Sequence, residues 1–254
     1  MTDPQSGHTR TVDFGFESVA AEEKTRRVKA VFDSVATRYD VMNDLMSFGM
    51  HRVWKRLAVL AAMVRSDDQI LDLAGGSGDL TRLFAERIGP KGHVIISDIN
   101  DEMLGVGRDR LIDAGLNEKI SVVQANAESL PFPSQSFDVV SIAFGLRNVT
   151  NKTAALAEMY RMLKPGGRAL ILEFSELKVP VLQKFYDTFS FRVLPKLGQM
   201  IANDSESYRY LAESIRVHPN QDALLSMMEA AGFERCRYRN MAGGVVALHD
   251  AIRA

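Results

Sequence analysis

From residue 69 onward the chain repeats one pattern, a short apolar run followed by a longer stretch with helical spacing. QILDLA precedes LTRLFAERI, HVIISDI precedes DEMLGVGRDRLIDAG, and ISVVQAN leads on to FDVVSIAFG, KTAALAEMYRML and RALILEF. Parallel strands need crossovers long enough to hold a helix, and strands covered on both faces read as continuous apolar runs. The expected core is therefore a doubly wound, mostly parallel α/β domain over residues 65–254. Residues 177–219 break the rhythm with FYDTFSFRVLP and a helical stretch at SYRYLAESIRV, so an insertion is placed there. After it come a helix, QDALLSMMEAAG, with Gly232 suited to its C-terminal cap, and two strands, ERCRYRN and GVVALHDAIR.

Ahead of the repeat, Val28, Val31, Phe32 and Val35 fall at i, i+3, i+4 and i+7 and predict an amphipathic helix over residues 20–36. A second helical stretch carries Trp54, Leu57 and Leu60. Residues 12–64 are read as an N-terminal helical region able to cover a site on the main domain, and residues 1–11 as a disordered tail.

Composition narrows the chemistry. Thirty-one basic and thirty-two acidic side chains leave a formal charge of −1, so no polyanion such as nucleic acid is expected as a partner. The five histidines (8, 51, 93, 218 and 249) and Cys236 have no metal-ligand spacing, and no metal is assigned. One cysteine and a polar N-terminus without an apolar core point to the cytoplasm. No run approaches the roughly 18 apolar residues of a membrane span, so any membrane contact is expected to be peripheral.

The most informative segment is ILDLAGGSGDL, residues 70–80: an apolar strand, an acid, a glycine-rich turn and a helix. Glycines let the chain turn sharply and bring backbone N–H groups to a ligand at a helix N-terminus. Twenty residues after Gly78, at the end of the next strand, stands Asp98, whose carboxylate can accept from two ribose hydroxyls. Asn126-Ala127-Glu128 follows the third strand, where an adenine amino group could be read. The turn has neither the third glycine of a dinucleotide fingerprint nor the Lys-Ser/Thr ending of a phosphate loop. A nucleoside without phosphate fits these residues better than a nicotinamide dinucleotide.

The succession LDLAGGSGDL, SDIN, NAESLPFP, FDVVSIAFGLRN and LKPGG resembles the class I S-adenosylmethionine-dependent methyltransferases. More narrowly, YDVMNDLMSFGMHRVWK, AFGLRNVT, RMLKPGGRALILEFS and ANDSESYRYLAESIRVHP resemble the ubiquinone/menaquinone biosynthesis C-methyltransferases. The resemblance implies a seven-stranded sheet with an antiparallel last strand and S-adenosyl-L-methionine over the strand ends. It assigns cofactor contacts to Asp72, Ala74, Gly75, Gly76, Ser77, Gly78, Asp98, Ile99, Asn126, Ala127 and Ala143. Ser77 would meet the methionine part, Asp98 the ribose, and Asn126 with Ala127 the adenine edge. Ala74 stands at the first glycine position of the general turn, as in this quinone subgroup, and Ala143 lacks the hydroxyl of relatives with serine there.

The resemblance also implies C-methylation of the ring of a polyprenyl benzoquinol and/or demethylmenaquinol, and the reduced quinol is the expected form because a ring carbon becomes nucleophilic when a neighbouring phenol is ionised. Arg147 is expected to stabilise phenolate and Asn148 to orient it or a water acting as base. Tyr39, Asp40 and His218 are candidates for taking the ring proton, His218 because an imidazole titrates near neutrality. Tyr208, Tyr210 and Arg216 are expected on the substrate side. The apolar run 185–201, with Lys184, Arg192 and Lys196, could hold the prenyl tail or face a membrane. A homodimer or a complex of quinone-biosynthetic proteins remains an open partner state, as do an inactive scaffold subunit and a methyltransferase with another acceptor.

Overall fold

A computed structural model describes residues 11–35, 39–178, 191, 195, 196, 199 and 205–254. It opens with a hairpin, β1 (Thr11–Phe14) and β2 (Glu17–Ala20), turning at Gly15 with φ +59°. Helices α1 (Ala21–Val35), α2 (Tyr39–Ser47) and α3 (His51–Ala62) follow. The alternating part comprises β3 (Gln69–Leu73), α4 (Asp79–Ala85), β4 (His93–Asp98), α5 (Asp101–Asp113), β5 (Ile120–Gln124), β6 (Phe137–Ala143), α6 (Lys152–Met162) and β7 (Leu163–Phe174). Helices α7 (Ser205–Val217) and α8 (Gln221–Ala230) precede β8 (Glu234–Met241) and β9 (Val246–Ile252).

The main sheet runs β5-β4-β3-β6-β7-β9-β8, parallel except for β9, which is antiparallel to both its neighbours. Alternation along β3 explains its position at the centre. Ile70 packs with Trp54 and Phe84 on the side of α3 and α4, while Leu71 and Leu73 pack with Leu156 and Met159 of α6 on the other side. Each such buried side chain contributes about 1.5–3 kcal/mol relative to exposure. The chain reverses its direction of travel across the sheet between β3 and β6, so their C-terminal ends splay apart and leave a crevice.

Three local readings change. Residues 11–20 form the β1–β2 hairpin within the region read as helical. Strand β7 begins at Leu163, ahead of the RALILEF run, and takes in Lys164–Gly167 as an irregularity, since Phe137 pairs with Leu163 and Val139 already with Arg168. On α3 Trp54 is buried, but Leu57 and Leu60 face solvent. The run 185–201 lies for the most part outside the described residues.

Candidate functional site

The crevice is a cleft of about 850 Å³, counting its open mouth. Its floor is made by the chain leaving β3 and β6. Ala74 and Phe144, the residues that follow these strands, both adopt left-handed backbone (φ +49° and +57°), an unusual conformation for side-chain-bearing residues. The two turns are packed together: a Cβ on Gly145 would lie 2.4 Å from that of Ala74. Gly75 is equally constrained, since a Cβ there would lie 2.5 Å from Ile96 Cγ1. Glycine is required at both places because no room exists for a methyl group.

Asp98 lines the cleft at the end of β4. The Gly76 N–H donates to its Oδ2 (3.0 Å) and the Asn100 N–H to its Oδ1 (2.9 Å). Burial raises its pKa to about 6; backbone N–H groups of Asn100, Gly76 and Ile99, rather than a cation, partly offset this. A recessed carboxylate with no cationic partner among the described residues, opening on a cleft of this size, fits the vicinal hydroxyls of a ribose. S-adenosylmethionine therefore suits the residues present, with Ile99, Asn126 and Ala127 on the same wall. The Asn126 side chain accepts from the Glu128 N–H (3.0 Å), so it shapes the turn from within.

Helix α1 closes the cleft from above with Thr25, Val28, Lys29 and Phe32. Asn100 fastens it there. Its Oδ1 caps α5 by accepting from the Met103 N–H (2.9 Å), and its Nδ2 donates to Asp33 Oδ1 (2.8 Å) on α1. Lys29 adds an ion pair to Asp101 at 2.7 Å. The periodicity of α1 was visible in the sequence, which also placed it in a region able to cover a site, and its residues Val28 and Phe32 line the cleft.

Beyond β6, Leu146–Asn148 forms one 3-10 turn. Asn148 lines the cleft, and its Oδ1 accepts from the Tyr210 hydroxyl at 3.1 Å. Burial raises the Tyr210 phenol well above its ordinary value, so it remains a donor. Its ring stacks on Phe14 at 4.3 Å, which ties the hairpin to α7. Arg147 does not face the cleft. It is buried, with its guanidinium on Glu173 (3.0 Å) and on the Phe144 carbonyl, while its own N–H donates to the other oxygen of Glu173 (3.1 Å). A buried guanidinium must find its charge partner inside the protein, and β7 supplies it.

The other expected site residues are dispersed. Asp72 lies beneath the glycine turn, where Thr81 (2.7 Å) and Ser141 (2.8 Å) donate to its carboxylate and burial raises its pKa to about 6. Ser77 and Gly78 are buried at the start of α4, and Ala143 sits one residue short of the wall that Phe144 provides. Tyr39 and Asp40 occupy the first turn of α2, with side chains outside the described residues. His218 is buried, and burial with Lys152 and Arg147 nearby drives its pKa well below the usual imidazole value. Tyr208 is buried in the core. Sequence reasoning missed Lys24, which reaches the Val149 carbonyl (3.5 Å) beside Lys152 (3.2 Å) and has its pKa lowered to about 8 by burial and that second ammonium. Among the described residues no cluster of three or more His, Cys, Asp or Glu could hold a metal ion.

Comparison with known proteins adds the family. The ubiE/COQ5 methyltransferase family matches residues 19–253. The ubiquinone/menaquinone biosynthesis C-methyltransferase UbiE of Methylococcus capsulatus is 62% identical over 239 residues, covering 94% of this chain and 96% of that protein. The protein of the same name from Stutzerimonas stutzeri is 56% identical, with both chains covered in full (100% each). Among solved structures, a SAM-dependent methyltransferase from Aquifex aeolicus superposes with a TM-score of 0.60 at 17% identity, covering 85% of this chain and 98% of its own. One from Thermotoga maritima gives 0.63 at 16%, covering 89% and 100%. The fold is thus that of the S-adenosylmethionine-dependent methyltransferases, and with a family match over nearly its whole length the chain belongs to the ubiE/COQ5 methyltransferases.

Proposed function

We propose that this chain transfers a methyl group from S-adenosylmethionine to a ring carbon of a quinol in ubiquinone and menaquinone biosynthesis. The acceptors are reduced polyprenyl benzoquinol and demethylated naphthoquinol. The observation that carries the reading is that Asp98 and Asn148 line one cleft, which puts a ribose acceptor and a polar donor within one bound pair of reactants. S-adenosylmethionine, when bound, supplies a methyl group already activated on a sulfonium, so the protein has chiefly to align, to exclude water and to make the ring carbon nucleophilic.

Asp98, Ile99, Asn126 and Ala127 hold the nucleoside, and α1 shuts out water. With its oxygen held by Tyr210, Asn148 offers its amide N–H groups to the quinol oxygen, where they stabilise the developing phenolate. Arg147 acts at one remove: it is clamped by Glu173 and fixes the turn that presents Asn148. The ring proton is left to Tyr39 or Asp40 on α2, because burial lowers the pKa of His218, which makes it a weak base, and His218 is not among the residues that line the cleft. A polyprenyl tail keeps the acceptor in a bilayer, at about 0.8 kcal/mol per buried CH₂. No helix among the described residues is long and apolar enough to cross a membrane; it is the bilayer-held tail of the acceptor that supports a reading in which the enzyme works at a membrane surface as a peripheral protein.

The test is anaerobic incubation with methyl-labelled S-adenosylmethionine and short-tailed demethylated quinols, each also offered oxidised, followed by mass spectrometry of the ring. Label on a ring carbon of the reduced acceptor alone is expected. Label on oxygen, or none although the cofactor binds, would overturn the assignment.

A further inference from the structure

Helix α3 has two unlike faces. His51, Trp54, Lys55, Ala58 and Ala62 are buried. Trp54 reaches Phe144 on the cleft wall and Phe174 behind it, with ring centroids 6.4 and 6.5 Å apart. The outward face is also apolar. Met50, just ahead of the helix, with Val53, Leu57 and Leu60 follows i, i+3, i+7 and i+10, one strip along a helix, and all four are exposed, Leu60 by 61%. Phe48 (76% exposed) stands in the turn before the helix and Met63 (65%) in the turn after it. Phe48 and Met63 both adopt left-handed backbone (φ +50° and +52°), a conformation disfavoured for such side chains. An exposed apolar strip of this kind marks an interaction site.

What covers the strip is indicated by the charges beside it. The sequence of α3 contains His51, Arg52, Lys55 and Arg56 and no acidic residue. Lys55 is taken up by Asp79 (2.8 Å), and Arg52 shares Asp44 (2.8 Å) with His51. Arg52 and Arg56 lie one turn apart and exposed along the edge of the apolar strip. Apolar side chains bordered by cations are what a helix lying flat in an anionic lipid interface presents, whereas a protein partner of neutral surface has no use for the arginine border.

We infer that the outer face of α3 is a docking surface for an anionic lipid bilayer, seated by Val53, Leu57, Leu60 and Met63 and steered by Arg56, with Arg52, which also pairs with Asp44, on the same edge. This deepens the membrane reading above and locates it, since the helix that meets the lipid is the one whose inner face braces Phe144 of the cleft. Docking at α3 brings the cleft wall within one helix diameter, about 10–12 Å, of the headgroups.

The test is sedimentation of the full chain with vesicles of phosphatidylcholine alone and of an equal mixture of phosphatidylcholine and phosphatidylglycerol, with no quinol present. Preferential binding to the mixed vesicles is expected, falling at least about tenfold in a Leu57→Ser/Leu60→Ser variant and in an Arg52→Gln/Arg56→Gln variant. Both variants should keep their melting temperature and their turnover of a short-tailed, water-soluble quinol. Equal binding by wild type and either variant, no binding by wild type, or indifference to lipid charge would overturn the inference. So would a dimer that dissociates in the Leu57→Ser/Leu60→Ser variant while vesicle binding persists, which would make the face a contact between copies. Loss of vesicle binding with normal turnover of soluble quinol separates this surface from the reaction; absence of turnover in every form would count against the reaction and not the surface.

Discussion

Tyr210 on α7 donates its phenolic proton to Oδ1 of Asn148 at 3.1 Å, and this one bond decides which end of the amide is available to the cleft. With the oxygen engaged, Asn148 presents donors. Tyr210→Phe removes the constraint while keeping the stack on Phe14. A loss of about three- to tenfold in kcat is expected, matching a single hydrogen bond of roughly 0.5–1.5 kcal/mol, with KM for S-adenosylmethionine unchanged. Steady-state kinetics with both substrates varied would check it, and an equal rise in the cofactor KM would refute the positioning role.

Glu173→Gln should be more disruptive than any exposed substitution nearby. It leaves the Arg147 charge buried without its partner, which costs about 3–5 kcal/mol. Urea denaturation should report that loss, and activity measured on the remaining folded fraction should fall as well, because the turn carrying Asn148 loses its clamp.

Gly145→Ala places a methyl group 2.4 Å from Ala74 Cβ and must push the two turns apart. A loss of about 1–3 kcal/mol in stability and a weaker affinity for S-adenosylmethionine are expected together, since the displaced residue is the floor of the cleft. Isothermal titration calorimetry beside a thermal melt would show whether the two effects are coupled.

Asp98 makes cofactor affinity depend on pH. Its pKa is raised to about 6 in the folded chain, so the carboxylate takes up a proton below that value and loses an acceptor for the ribose. Affinity should weaken by up to tenfold per pH unit below about 6. Stability of the ligand-free protein carries the opposite sign. An acid raised in the folded state favours folding most below its unfolded pKa of about 3.9 and loses up to about 3 kcal/mol as pH rises through about 6. The difference between wild type and Asp98→Asn, followed by calorimetry from acid to neutral pH, should isolate both trends; a flat affinity profile in the wild type would contradict them.

How much of this was legible in the sequence follows the range of the interactions. The alternating core was readable because strand burial and helix periodicity are local patterns, and the glycine turn with Asp98 because chain spacing alone places them. Asp72 was assigned to the cofactor by the resemblance. Period two along β3 places it on the face of Ile70, under α4, where Thr81 meets it. Arg147 was expected at the acceptor since nothing local reveals Glu173, 26 residues on and in the neighbouring strand. The β1–β2 hairpin was lost because its strands are four residues each and carry charges. Its stability comes from Phe14 against Tyr210, nearly two hundred residues away in the chain.

The antiparallel strand β9 sets an order of assembly. It lies between β7 and β8, yet it follows both in the chain, so β8 has no neighbour in the sheet and β7 keeps an open edge until residues 246–252 arrive. On a ribosome the apolar LILEF segment of β7 therefore stays unpaired on one side through the synthesis of some seventy residues. A nascent chain stalled before Val246 would display the parallel half of the sheet with an adhesive rim along β7.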